Sequence, residues 1–145
     1  YFPVFSSCNA NFRIQNPRKG TLWCGECPKC AFVFLLLSAF LPKQEMMKIF
    51  HKNLFVDSKL LSTFEELLGL ARFKPFECVG TPEESRWAFW QVLQKKEYDN
   101  DVVIKKLSAA LPVDRQEMKA AEKRLFGLSS MHAIPEKFAP IVHSL

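Results

Sequence analysis

The chain has 145 residues, of which 48% are hydrophobic and 24% charged, and its net charge is +5. That is ordinary composition for one globular domain, and it excludes a chain too short or too polar to bury a core. The positive excess is localised: residues 1–60 hold eight Lys or Arg against three Asp or Glu, while the remainder sums to zero. A modestly basic solvated surface accounts for this as well as attraction of an anionic ligand does.

In chain order, Tyr1-Phe-Pro-Val-Phe5 is apolar and reads as the end of a strand that delivers Ser6-Ser7-Cys8. Because the first residue is Tyr1 rather than Met, a processed product or a piece of a longer protein is expected. Residues 1–30 lack the basic-then-apolar order of a signal peptide, which favours a reduced, cytoplasmic setting. Asn16-Pro-Arg-Lys-Gly20 marks a turn. Cys30 then opens an apolar helix through about Leu41, stopped by Pro42. The apolar run Ala31–Leu41 is too short to cross a bilayer core of roughly 30 Å.

A second helix is expected over Lys43 to about Lys52, with Met46, Met47, Ile49 and Phe50 as its apolar members. Asp57 or Ser58 can cap a third, whose stripe is Leu60, Leu61, Phe64, Leu67 and Leu68 and whose end is Gly69. Phe73–Gly80 is irregular or briefly extended. Thr81-Pro-Glu-Glu84 combines a cap, a proline suited to the first helical position and a glutamate that can reach back. The helix it starts carries Trp87, Trp90 and Leu93 inward and fades near Lys96. Val102–Leu111 and the Asp114-capped segment to Phe126-Gly127 make two more helices. Residues 129–145 form a tail with one short turn. The expected organisation is an entry segment over 1–30, a helical body over 31–128 and that tail, all in one mainly α domain. Most of the fourteen Phe fall among Leu, Val and Ile at helical spacing, so they read as core rather than as a base-stacking platform.

Cys8, Cys24, Cys27 and Cys30 carry the chemistry. A closed zinc site needs four soft ligands at tetrahedral positions, and Cys-x2-Cys turns supply them from a tight loop. Here Cys24-Gly-Glu-Cys27 and Cys27-Pro-Lys-Cys30 overlap, and Cys8 closes the set from a separate segment. The iron–sulfur alternative asks for a further Cys three residues after Cys30, followed by Pro; Phe34-Leu35 stands there instead. With four protein ligands the metal has no open position, so its role is structural. Part of the local positive charge can offset the −2 of a zinc tetrathiolate.

Other candidates are weaker. Cys78, the fifth cysteine, sits in a loop running into a helix N-terminus, although most lone cysteines are small buried hydrophobes. His51, His132 and His143 are dispersed and read as surface residues. No glycine-rich phosphate loop occurs, and no helix carries the basic stripe that nucleic acid would demand.

Ser7-Cys8 followed by Cys24-Gly-Glu-Cys27-Pro-Lys-Cys30 resembles the zinc-binding end of PP-loop ATP pyrophosphatases, such as the 7-cyano-7-deazaguanine synthases. Ser7-Cys-Asn-Ala-Asn-Phe12, Trp23-Cys-Gly-Glu-Cys-Pro-Lys-Cys-Ala-Phe-Val-Phe-Leu35 and Lys74-Pro-Phe-Glu-Cys-Val-Gly80 are closer still to the C-terminal region of the ATP-dependent UDP-N-acetylmuramoyl-L-alanyl-L-glutamate epimerases. The resemblance implies an isomerase of peptidoglycan precursor synthesis. With ATP and magnesium it would activate the terminal glutamate carboxylate as an acyl-adenylate, releasing pyrophosphate. The α-proton would leave and return on the other face, and hydrolysis would give D-Glu. The Ser-Gly-Gly-x-Asp-Ser type phosphate loop of such enzymes is absent here. The chain therefore looks like the C-terminal part of a larger α/β PP-loop enzyme, inactive alone and partnered by an upstream PP-loop domain. The four cysteines carry over as structural metal ligands; Arg13, Lys29, Glu77 and Cys78 carry over as substrate-side residues. No catalytic acid or base is assignable. Two other readings stay open: a non-enzymatic zinc-clipped helical adaptor for a protein or nucleic acid, and part of a different PP-loop enzyme.

Overall fold

The computed structural model describes residues 1–2, 4–15, 20–71, 79–127 and 133–142. Helix α1 spans Pro28–Phe40, α2 Lys43–Phe50, α3 Leu61–Leu67, α4 Pro82–Lys95, α5 Val102–Ala110, α6 Arg115–Phe126 and α7 Ala139–Val142. The described residues contain no strand.

Helix α1 is the hub, because it is apolar around most of its circumference and a helix of that kind must be covered on several sides. It packs against α4 most extensively and also against α2 and α3, while α6 packs against α4 and meets the Leu36–Phe40 end of α1 around Trp87. Cys30, Ala31, Phe34, Leu35 and Ser38 of α1 are buried. Phe34 stands at the centre of an edge-to-face aromatic cluster, 5.0 Å from Phe50 and 4.9 Å from Phe55 by ring centroids. Phe55 in turn lies 5.0 Å from Tyr98. Such geometry sets the positive ring edge against a negative face and adds to the area buried. The core reading of the phenylalanines holds for Phe34, Phe50, Phe55, Phe64 and Phe89, whereas Phe2, Phe5, Phe12, Phe40, Phe126 and Phe138 are exposed, because they lie on the N-terminal segment, at helix ends or in the tail.

Helix α4 braces its neighbours through their open ends. Its own start is a capping box: Thr81 Oγ1 accepts from the Glu84 N–H at 3.2 Å, and the Glu84 carboxylate accepts from the Thr81 N–H. Near its other end, Lys95 Nζ donates to the Ser38 and Leu41 carbonyls at 3.0 and 2.6 Å, at the C-terminus of α1. Arg86 Nε donates to the Leu68 carbonyl at 2.7 Å, just past α3. Cations at these positions satisfy carbonyls that the helices leave unpaired and favour the negative end of each dipole. Gly69, at φ +68°, lets the chain turn there, with Leu70 N–H returning to the Glu65 carbonyl at 2.9 Å. This is the glycine stop expected for α3.

Four local expectations change. Phe2 and Val4 lie in a turn rather than a strand, with the Val4 and Phe5 N–H groups both on the Tyr1 carbonyl at 3.0 Å; a strand needs a partner, and none is available among the described residues. Helix α1 begins at Pro28 with Cys27 as its cap, two residues earlier than the expected start at Cys30. Asp57 caps a short 3-10 turn over Ser58–Leu60 that leads into α3, rather than α3 directly. Within α4, Trp87 and Trp90 are buried as expected, whereas Val92 is buried in place of the half-buried Leu93.

Candidate metal centre

The start of α1 and the loop before it build the site. Pro28 occupies the first turn of the helix, where its missing N–H costs nothing, and Cys27 precedes it in extended conformation. Cys30 therefore lies in the first turn of α1, and Cys24 and Cys27 bracket the turn in front. Gly25 makes that turn at φ +65°, a conformation that favours glycine. Cys8 arrives from the N-terminal segment. That segment is fastened by the Ser6 hydroxyl on the Leu22 carbonyl, by Asn11 Nδ2 on the Thr21 carbonyl at 2.8 Å, and by Phe5 against Trp23, with ring centroids 6.1 Å apart.

The four Sγ atoms all lie within 4.8 Å of one another. Cys24 Sγ is 3.6 Å and Cys27 Sγ 3.5 Å from Cys30 Sγ. A tetrahedron with metal–sulfur arms of about 2.3 Å has edges of about 3.8 Å, so the spacing fits one ion at the centre. Backbone amides point at the sulfurs: Cys24 N–H at Cys8 Sγ and Glu26 N–H at Cys24 Sγ, each at 3.4 Å. Cys8, Cys24 and Cys30 are buried and Cys27 is half-buried.

The thiols of the cluster are shifted unequally. A hydrogen bond from the Cys30 thiol, helped by backbone amides of Cys30 and Asn9, holds the Cys27 thiol down to about 4. Hydrogen bonding to that thiolate, then burial, pushes Cys30 far upward. Burial is also the main cause raising Cys24. One negative charge is accommodated easily and further ones are not, which is how four close thiols behave until a metal offsets them.

Sequence reasoning missed one participant. The Lys52 side chain lies across Gly25: a Cβ on that glycine would stand 1.9 Å from Lys52 Cε and 2.7 Å from Nζ. No described carboxylate forms an ion pair with this half-buried ammonium. His51, at φ +57° just past α2, turns the chain so that Lys52 reaches back to the knuckle. A glycine between the first two clustered cysteines was the available signal of a close approach, but the partner could not be read from it.

Of the other sequence candidates, Arg13 is exposed on the N-terminal segment and Lys29 is half-buried in the first turn of α1. Glu77, Cys78, His132 and His143 lie outside the described residues. His51 is exposed, as a surface histidine should be. No described helix is long and apolar enough to cross a membrane.

These features define a class: a helical domain stapled at one end by a closed four-cysteine cluster with the geometry of a structural metal knuckle. More specifically, the chain belongs to the MurL C-terminal domain family, whose model matches residues 4–122. It is 38% identical, over 93% of its length, to a UDP-N-acetyl-alpha-D-muramoyl-L-alanyl-L-glutamate epimerase of Xanthomonas oryzae pv. oryzae. Proteins of the same name from a Micromonospora species and from Salinispora tropica are 35% and 34% identical, over 96% and 100% of the chain. The chain spans only 30–31% of the length of these curated relatives. No solved structure matches it significantly.

Proposed function

We propose that this chain is the zinc-stapled, substrate-facing C-terminal part of a longer ATP-dependent epimerase. That enzyme converts the terminal L-Glu of UDP-MurNAc-L-Ala-L-Glu to D-Glu in peptidoglycan precursor synthesis. The observation that carries this reading is the family match across residues 4–122, together with relatives named for that epimerisation. ATP with magnesium, held by an upstream PP-loop domain, would supply activation of the glutamate carboxylate.

Within this chain the roles are structural and electrostatic. Cys8, Cys24, Cys27 and Cys30 hold zinc, which closes the N-terminal segment onto α1 and leaves no position for substrate. Their donor set fits zinc because thiolates are soft ligands and the four sulfurs lie within 4.8 Å of one another, close enough to share one ion. Exposed Arg13 and half-buried Lys29 flank that staple and meet the anionic nucleotide-sugar peptide; Glu77 and Cys78 belong to the same substrate side by family resemblance.

The test is conversion of the L-Glu precursor to its D-Glu isomer by the longer polypeptide with ATP and magnesium. Arg13→Ala and Lys29→Ala should each raise KM by about tenfold, the equivalent of one lost charge-assisted hydrogen bond, without lowering thermal stability. A zinc-loaded longer polypeptide that leaves the L-Glu precursor unchanged refutes the reading.

A further inference from the structure

Large apolar side chains are unevenly exposed. Of the twelve that are exposed among the described residues, six lie in the first fourteen: Tyr1, Phe2, Val4, Phe5, Phe12 and Ile14. Tyr1, Val4, Phe12 and Ile14 are 104%, 79%, 70% and 100% exposed, which is as open as an unfolded chain or nearly so. Scattered surface hydrophobics need no explanation, but a concentration of this kind marks an interface.

The segment that carries them is not a loose end. Cys8 is fully buried in the sulfur cluster, Ser6 and Asn11 hydrogen-bond to the backbone of residues 21–22, and Phe5 leans on Trp23. Phe2 lines a cavity of about 410 Å³ against Leu22 and the Ile49 face of α2. Inward-facing groups thus fix the segment while outward-facing ones present an apolar surface. A surface held in place before docking loses less conformational freedom when it is covered.

The length of the relatives says what covers it. The family is a C-terminal domain, and the chain spans about 30% of each relative, so most of their polypeptide lies outside the matched region and chiefly before it. We propose that residues 1–15 form the docking surface for the preceding domain of the same polypeptide, and that the four-cysteine staple serves to hold this surface in shape. The inference rests on the reading of the chain as the C-terminal part of a longer enzyme.

Amide hydrogen exchange, followed in the longer polypeptide and in the 145-residue chain, tests it. Peptides spanning residues 1–15 should exchange at least about tenfold more slowly in the longer form, while those of α5 and α6 match between the two. Phe12→Ser with Ile14→Ser should restore fast exchange in the longer form. Because both side chains are exposed, the pair should leave melting of the 145-residue chain unchanged. Equal exchange of residues 1–15 in both forms overturns the proposal. So does a 145-residue chain that sediments as a dimer with this segment already protected, which would assign the surface to a second copy. Epimerisation of the L-Glu precursor, assayed on the same preparation, separates the two readings. An active enzyme with an unprotected segment sinks only the docking surface. A protected segment in an inactive protein sinks only the enzymatic assignment.

Discussion

Gly25 shows how much one backbone position can decide. Its φ of +65° makes the turn between Cys24 and Cys27, and its missing Cβ leaves the channel that the Lys52 stem fills. Alanine there would push the flexible end of the Lys52 side chain aside at little cost, so the penalty is that of holding a left-handed conformation, about 1–2 kcal/mol. Gly25→Ala should therefore lower the melting temperature of the zinc-loaded chain and speed zinc loss to a chelator; unchanged values for both would contradict the left-handed turn described. The four cysteines were legible in the sequence because thiolate chemistry is specific and their spacing is tight. Lys52 was not, since it arrives from a separate element through a left-handed turn at a non-glycine residue, His51, that no local rule anticipates.

At the scale of elements, α4 is the member on which the others lean. It seals its own start with Thr81 and Glu84, and it lends Lys95 to the end of α1 and Arg86 to the end of α3. Losing the Thr81 hydroxyl removes one satisfied amide and half of the reciprocal box. Thr81→Ala should destabilise the chain by about 1 kcal/mol in denaturant unfolding, with the metal site unaffected. A change indistinguishable from zero would show that the box is replaced by solvent. This start was fully readable because capping is a local matter of residue type and spacing. The N-terminal strand was misread for the opposite reason: an apolar pentapeptide becomes a strand only beside another, and sequence alone does not show whether one is there. The cross-caps from Lys95 and Arg86 were equally invisible, since each joins residues 17 or more apart in the chain.

Over the whole molecule, the aromatic core around Phe34 and the sulfur cluster are adjacent parts of one design. Cys30 and Phe34 are one turn apart on α1, so a metal held by the cysteines would fix the same helix that organises the core. The helical class and the clustering of the four cysteines were legible, and the family resemblance was carried by phrases within residues 4–122.

The central claim is a single zinc joining Cys8 to the Cys24–Cys30 knuckle. Filling that site expels the protons that Cys24 and Cys30 carry when their thiols are pushed above the ordinary range, so acid competes with the metal and the measurement belongs at neutral pH or above. Zinc-edge X-ray absorption on protein purified without chelator should show one zinc per chain surrounded by four sulfurs at about 2.3 Å. A zinc shell containing nitrogen or oxygen ligands in place of any sulfur, or protein with no zinc at all, would contradict the account.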